Sequence, residues 1–197
     1  MVGCLRYLYN TRPDLSYSVG VISRYMECPR VSHLNAVKRI LRYLKGTHSY
    51  GILLRRGETG EEVQITSYSD ADWCGDKTDK RSTAGYIFFM EGYPISWSSR
   101  KEPVVALSSC EAEYIASCEA TCQATWLRFL LEGLKIELSE KKVSSGKLEV
   151  VHCRSEDQLA DILTKALKGE RFLKLRKQIG MVQAEIIEDH NRKELKT

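Results

Sequence analysis

Apolar residues first recur at helical spacing. Residues 15–28 and 32–45 each read as a helix. In the second, Leu34, Val37, Leu41 and Leu44 fall on one face, with Ser32 placed to cap the start and Gly46 to stop the end. From Tyr50 the pattern changes. Gly51–Leu54 reads as a short strand, and the charged, glycine-bearing stretch 55–62 reads as a domain boundary. Val63–Ser69, Thr83–Met90 and Ile95–Ser99 are rich in β-branched and aromatic residues and predict three strands. Glu91-Gly92-Tyr93-Pro94 makes a tight link between the last two, as an antiparallel hairpin requires. Ser108 and Glu111 have capping-box spacing and open a helix that carries Glu113 in its second turn. A further helix is expected through Trp126, Leu127, Leu130 and Leu131 to Gly133. Leu148–Cys153 reads as a late strand, and Ser155 with Gln158 as a second capping box opening a helix that bears Asp161. Gly180 stops a final amphipathic helix containing Phe172, Leu173, Leu175 and Ile179.

Composition narrows this little. A chain of 197 residues with 43% hydrophobic and 28% charged residues has room for one domain with an appendage or two small ones. No apolar run approaches the roughly 20 residues of a membrane-spanning helix, so no membrane partner is expected. The amino terminus lacks a secretory pattern. Net charge is +4, compatible with a polyanionic partner, and basic residues cluster at Lys38, Arg39, Arg42 and Lys45 and again from Lys165 to Lys177. Taken alone, such runs are most often solvated helix faces. Seven cysteines are scattered without a paired CxxC, which argues for buried thiols, including Cys118 and Cys122, and for an intracellular compartment, cytoplasmic or nuclear.

The chemistry lies in the acids. Asp70 and Asp72 stand at the end of a strand in Tyr68-Ser69-Asp70-Ala71-Asp72-Trp73, Glu113 in Ser108-Ser109-Cys110-Glu111-Ala112-Glu113-Tyr114, and Asp161 in Asp157-Gln158-Leu159-Ala160-Asp161. Carboxylates so placed can converge on a pair of divalent ions that activates water for attack on a phosphodiester. Acids near strand and helix ends also serve as caps or face solvent, and spacing alone does not separate the two readings.

The surrounding words do. Asp70-Ala71-Asp72-Trp73, Lys80-Arg81-Ser82-Thr83-Ala84-Gly85-Tyr86, Ile95-Ser96-Trp97-Ser98-Ser99-Arg100-Lys101, Val105 to Tyr114 and Asp157 to Lys165 occur in that order. Together they closely resemble the ribonuclease H region of copia-type LTR retrotransposon polyproteins. Upstream, Leu5-Arg6-Tyr7-Leu8, Thr11-Arg12-Pro13-Asp14 and His33 to Leu44 resemble the end of the reverse transcriptase of the same polyproteins.

The resemblance implies an α/β fold of the ribonuclease H-like kind, a mixed sheet flanked by helices and preceded by a small helical segment. It implies residues 1–54 as a reverse-transcriptase tail, 62–181 as the ribonuclease H-like domain and 182–197 as a charged, disordered tail. The implied reaction is hydrolysis of RNA in an RNA–DNA hybrid, with two magnesium ions, or manganese in their place, as cofactor. The polymerase domain is the implied partner within an intact polyprotein. Asp70, Glu113 and Asp161 match the family's metal-binding acids, and Ser108, Ser109 and Cys110 are placed to meet the hybrid backbone at a helix start. Asp72 is set aside as a neighbour pointing away. The family's Asp-Asn motif, which ends a fourth strand, has no match here: after Leu134 the chain passes through 135–147 straight into the late strand. The expected domain therefore lacks a core strand and one carboxylate. His152 is expected as a packed or edge histidine of the late strand, Trp97 and Trp126 as core residues, and Trp73 as support for its turn.

Overall fold

A computed structural model describes residues 1–54, 63–136 and 150–184. The chain divides into two compact units: Met1–Leu53 together with the stretch from Lys165 onward, and Leu54–Thr164. The compact units thus cut the chain differently from the sequence-based domains, since the final amphipathic helix groups with the amino-terminal helices.

The first unit holds α1 (Val2–Leu8), a 3-10 turn (Pro13–Leu15), α2 (Ser16–Ser23), α3 (Val31–Gly46), β1 (Tyr50–Ile52), α6 (Gly169–Gln178) and β5 (Met181–Gln183). β1 and β5 pair antiparallel, Tyr50 opposite Gln183. Leu5, Leu15, Val19, Ile22, Val37 and Ile40 form its core. Two details of α3 differ from the sequence reading. Its N-cap is Arg30, whose backbone N–H donates to His33 Nδ1 at 3.0 Å, and not Ser32. Its buried stripe is Val37 and Ile40 with Tyr43 and Leu44 packed alongside, while Leu34 and Leu41 are exposed. Either stripe satisfies helical periodicity, and packing against α2 selects the one containing Ile40. Beneath it, Arg12 clamps Asp14 through Nε and Nη2 at 2.9 and 2.8 Å, and Tyr43 donates its hydroxyl to the same carboxylate at 2.6 Å. Burial and the Asp14 charge push the Tyr43 phenol up to about 12.

The second unit is built on an antiparallel sheet, β2 (Ile65–Asp72), β3 (Thr83–Met90) and β4 (Tyr93–Lys101), in the order β2-β3-β4. The β3–β4 hairpin turns on Glu91 and Gly92, both at positive φ (52° and 81°), the conformation that two-residue hairpin loops require. α4 (Ser109–Gly133) is one continuous helix where the sequence suggested two. No glycine or proline interrupts it before Gly133, so nothing breaks its hydrogen-bond ladder. Ala112, Ala116 and Ala120, one turn apart, form with Leu127 and Leu131 its buried face, and Ala120 and Leu127 cluster with Phe88 of β3. Ser108 caps it as expected, accepting from Glu111 N–H at 3.1 Å, but the Glu111 carboxylate reaches back to Leu107 N–H rather than to Ser108.

The late part of this unit departs most from expectation. Residues 150–153 form no strand, and the first two residues of the expected Leu148–Cys153 strand lie outside the described residues, as do 55–62 and 185–197. The helix expected from Ser155 is confined to one turn, α5 (Asp161–Thr164), because the Gln158 side chain turns inward instead of capping. His152, Cys118, Cys122 and Trp126 are exposed, contrary to their expected packing. Mixed α/β architecture is thus present, with antiparallel strands and helices.

Candidate functional site

The sheet builds a shelf from three residues in register. Asp70 of β2 lies opposite Gly85 of β3, and Gly85 lies opposite Ser99 of β4. Residues directly opposite one another share a face of the sheet, so all three sit on one side. α5 docks there at very short range. A Cβ on Gly85 would come within 2.8 Å of both Leu163 Cβ and Thr164 Cγ2. Only the missing side chain lets α5 approach this closely. Ser99 Oγ then donates to Leu163 O at 2.6 Å, and Thr164 Oγ1 donates to Asp70 Oδ2 while lying 3.4 Å from Asp161 O. At the edge of β2, Gln158 Nε2 donates to Ser69 O at 2.9 Å and its Oε1 accepts from Ala160 N–H. Thr164, Leu163 and Ala160 are wholly buried, and Asp70 is nearly so.

The structure therefore fastens Asp70 to α5 through the Thr164 hydroxyl, which also meets the backbone carbonyl of Asp161 at the start of that turn. Glu113 is exposed in the second turn of α4, the helix whose Ala120 and Leu127 cluster with Phe88. Among the described residues no three His, Cys, Asp or Glu side chains are grouped so that they could hold a metal ion. The acids of the described residues thus do not by themselves make up a two-ion centre, which needs several carboxylates on ions about 4 Å apart. Asp70 also has the Thr164 hydroxyl already seated on one oxygen.

Asp72 requires a correction. On an extended strand residues two apart share a face, so Asp72 lies on the Asp70 side and not the opposite one. Its carboxylate folds over the following turn, where a Cβ at Gly75 would meet Asp72 Oδ2 at 1.9 Å. Trp73 is half exposed and ties that turn down by donating Nε1–H to Ala106 O at 3.0 Å, the supporting role expected of it. Ser108, Ser109 and Cys110 are exposed at the start of α4, with the Ser108 hydroxyl taken up by the cap. Glu111 and Glu113 follow them immediately, so the anion-attracting end of this helix carries two opposing charges.

Two further features went unweighed in the sequence. Lys101 Nζ bridges Asp76 and Asp79 at 2.6 and 2.7 Å. Burial opposes its charge, but the two carboxylates outweigh that and hold the ammonium above its ordinary pKa. Glu102, next in the chain, is 1% exposed and neither carboxylate oxygen has a hydrogen-bond partner of good geometry. Burial pushes its pKa up against the opposing pull of the neighbouring Ser82 hydroxyl, with smaller help from the charges of Glu119, Glu113 and Glu111. A buried glutamate directly after a strand was the available signal. Thr164 and Gln158 had a weaker one, lying inside the motif whose acids alone drew attention.

Sheet, long helix and docked turn define a small α/β module with a carboxylate shelf, and sequence relatives place it. A retrovirus-related Pol polyprotein from transposon RE2 of Arabidopsis thaliana is 40% identical over 218 residues, covering 93% of this chain and 15% of that protein. One from transposon TNT 1-94 of Nicotiana tabacum is 37% identical over 215 residues, 91% of this chain and 16% of the relative. A secreted RxLR effector protein 161 of Plasmopara viticola is 48% identical over 127 residues, 64% of this chain and 87% of that protein. No family model and no solved structure matches. The chain belongs to the copia-type, retrovirus-related Pol polyproteins of transposons. It spans about 15% of the length of the transposon polyproteins it matches. The RE2 alignment has 218 positions but takes in 93% of 197 residues, about 183, so about 35 positions of the relative have no counterpart here.

Proposed function

We propose that this chain is the ribonuclease H-like segment of a Pol polyprotein that meets an RNA–DNA hybrid without cleaving it efficiently. The family reaction is magnesium-dependent hydrolysis of the RNA strand during reverse transcription, next to a polymerase domain supplied by the intact polyprotein. Asp70, Glu113 and Asp161 are the acids this reading assigns to the metal ions, and Ser108 to Cys110 the backbone contacts of the nuclease module. One observation carries the doubt about cleavage. The Asp70 carboxylate is taken up by the Thr164 hydroxyl, and among the described residues no three His, Cys, Asp or Glu side chains are grouped to hold a metal ion. The shortfall of about 35 positions against RE2 supports the same reading, being the size of a strand with its connections. Small misplacements of reacting groups cost large factors in rate, so an incomplete carboxylate set leaves little activity.

The test is cleavage of an end-labelled RNA–DNA hybrid by the full chain in magnesium and in manganese. The unmodified chain is expected to give almost no product. Inserting the missing segment from the Arabidopsis relative after Leu134 is expected to restore magnesium-dependent cleavage, and Asp70→Asn to abolish it again. Robust cleavage by the unmodified chain, lost on Asp70→Asn, would overturn the reading.

A further inference from the structure

The two compact units divide the charge of the chain very unequally. Met1–Leu53 with Lys165–Thr197 carries seventeen lysines and arginines against seven acids, a formal +10. Leu54–Thr164 carries thirteen against nineteen, a formal −6. A modest overall charge of +4 conceals this. The basic runs of α3 and α6, more than 120 residues apart in sequence, fall in the same unit. They meet at Tyr43, which stacks edge-on with Phe172 (5.7 Å between centroids) and accepts from Arg176 Nη1 at 3.1 Å.

On α3, Lys38, Arg42 and Lys45 follow one another at i, i+4 and i+7, a single face turned away from buried Val37 and Ile40, and all three are exposed. α3 holds no acidic residue. An ordinary solvated helix face mixes its charges, because like charges at i, i+4 destabilise a helix. Here the repulsion is left uncompensated, and none of Lys38, Arg42, Lys45, Lys174 and Lys177 forms a salt bridge among the described residues. We infer that this basic helical unit, and not the acidic sheet unit with its helix start at Ser108–Cys110, is where the chain grips the phosphate backbone of a nucleic-acid duplex. The inference rests on the hybrid-binding half of the proposed function and relocates it. Binding of this kind is independent of base sequence and driven by release of counterions.

The experiment measures binding of a fluorescently labelled RNA–DNA hybrid by the full chain, by anisotropy, between 50 and 200 mM salt as typical limits for such titrations. Lys38→Ala/Arg42→Ala/Lys45→Ala is expected to lower the slope of log K against log salt by about 2–3 and to weaken binding at low salt by about tenfold or more. Circular dichroism should be unchanged, since the three side chains lie off the core. Lys38→Arg/Lys45→Arg should bind like the unmodified chain. Duplex DNA of the same length should show a similar salt slope. If the triple variant binds with unaltered slope and affinity while Ser109→Ala/Cys110→Ala loses binding, the hybrid-binding reading stands and its relocation falls. If the unmodified chain does not bind at low salt, both fall together.

Discussion

Glu102 offers a direct measure of how much tension the sheet unit carries. Its carboxyl is buried with no adequate hydrogen bond and faces the negative charges of Glu119, Glu113 and Glu111 across to α4. Its backbone is well held, with Glu102 N–H donating to Ser82 O at 2.9 Å, so the strain belongs to the side chain. The folded state therefore keeps a proton that the unfolded chain releases near the ordinary glutamate value of about 4.3. When the folded state binds more protons, stability falls as pH rises. The contribution is fully present below the unfolded pKa and is lost as pH climbs from there to the raised folded value, at up to about 1.4 kcal/mol per pH unit. Glu102→Gln keeps the shape and removes the titration. It should match the unmodified chain near and below the unfolded glutamate pKa of about 4.3 and become progressively more stable than it as pH rises above that value. Glu102→Leu also removes the unpaired oxygens and should add about 1–3 kcal/mol at every pH. Urea unfolding followed by tryptophan emission is the assay, because Trp73, Trp97 and Trp126 all lie in the sheet unit. A gap between Glu102→Gln and the unmodified chain that stays constant from pH 4 to 8 would refute the reasoning. It would mean that the carboxylate is charged and solvated throughout.

Other substitutions probe the two cores. Gly85→Ala places a methyl 2.8 Å from Leu163 and Thr164, and should destabilise the sheet unit by about 1–3 kcal/mol in the same urea assay. Thr164→Val removes the hydroxyl seated on buried Asp70, which should cost about 1–3 kcal/mol. Arg12→Ala strips the bidentate partner from Asp14, which is 3% exposed, and should cost the helical unit about 3–5 kcal/mol by far-ultraviolet circular dichroism. An effect under about 0.5 kcal/mol for any of these would show that the contact is not made in solution.

What was legible in the sequence was local. Thr83–Met90 is a strand with the expected bounds because eight residues of β-branched and aromatic character suffice to mark it. The Glu91-Gly92 turn, the Ser108 cap and the Gly180 stop each follow from one or two residues and their neighbours. Failures came where tertiary packing decides. Helical periodicity fits both Leu41 and Ile40 stripes of α3, and only the partner helix chooses. Gln158 has the spacing of a cap, yet a carbonyl at Ser69, 89 residues earlier, captures its amide. The acids themselves were found by motif, but their grouping depends on which element each rides on. Asp70 is fastened to α5 by Thr164, a contact across 94 residues that no local pattern announces, while Glu113 rides on α4, whose buried face clusters with Phe88.

That arrangement explains how a module missing about 35 positions of its relatives keeps a packed core. A strand edge left without a partner ordinarily invites pairing with another chain. Here Gln158 occupies one carbonyl of β2, and α5 sits on the sheet because Gly85 leaves room for it. Asp70, the residue that the family would devote to a metal ion, is at the same time the acceptor that fastens α5 through Thr164. A carboxylate committed to a structural hydrogen bond holds the fold without any ion, so the acid can persist after the chemistry is gone. The charge division points the same way. A strongly basic helical unit can keep its attraction for a polyanion whatever happens in the acidic sheet unit, since counterion release needs only exposed lysines and arginines and not an assembled centre. Cleavage depends on a few groups placed within fractions of an ångström, whereas binding is spread over many side chains that need only be near. On the proposed reading, losing a segment of the sheet would remove the first long before it weakened the second.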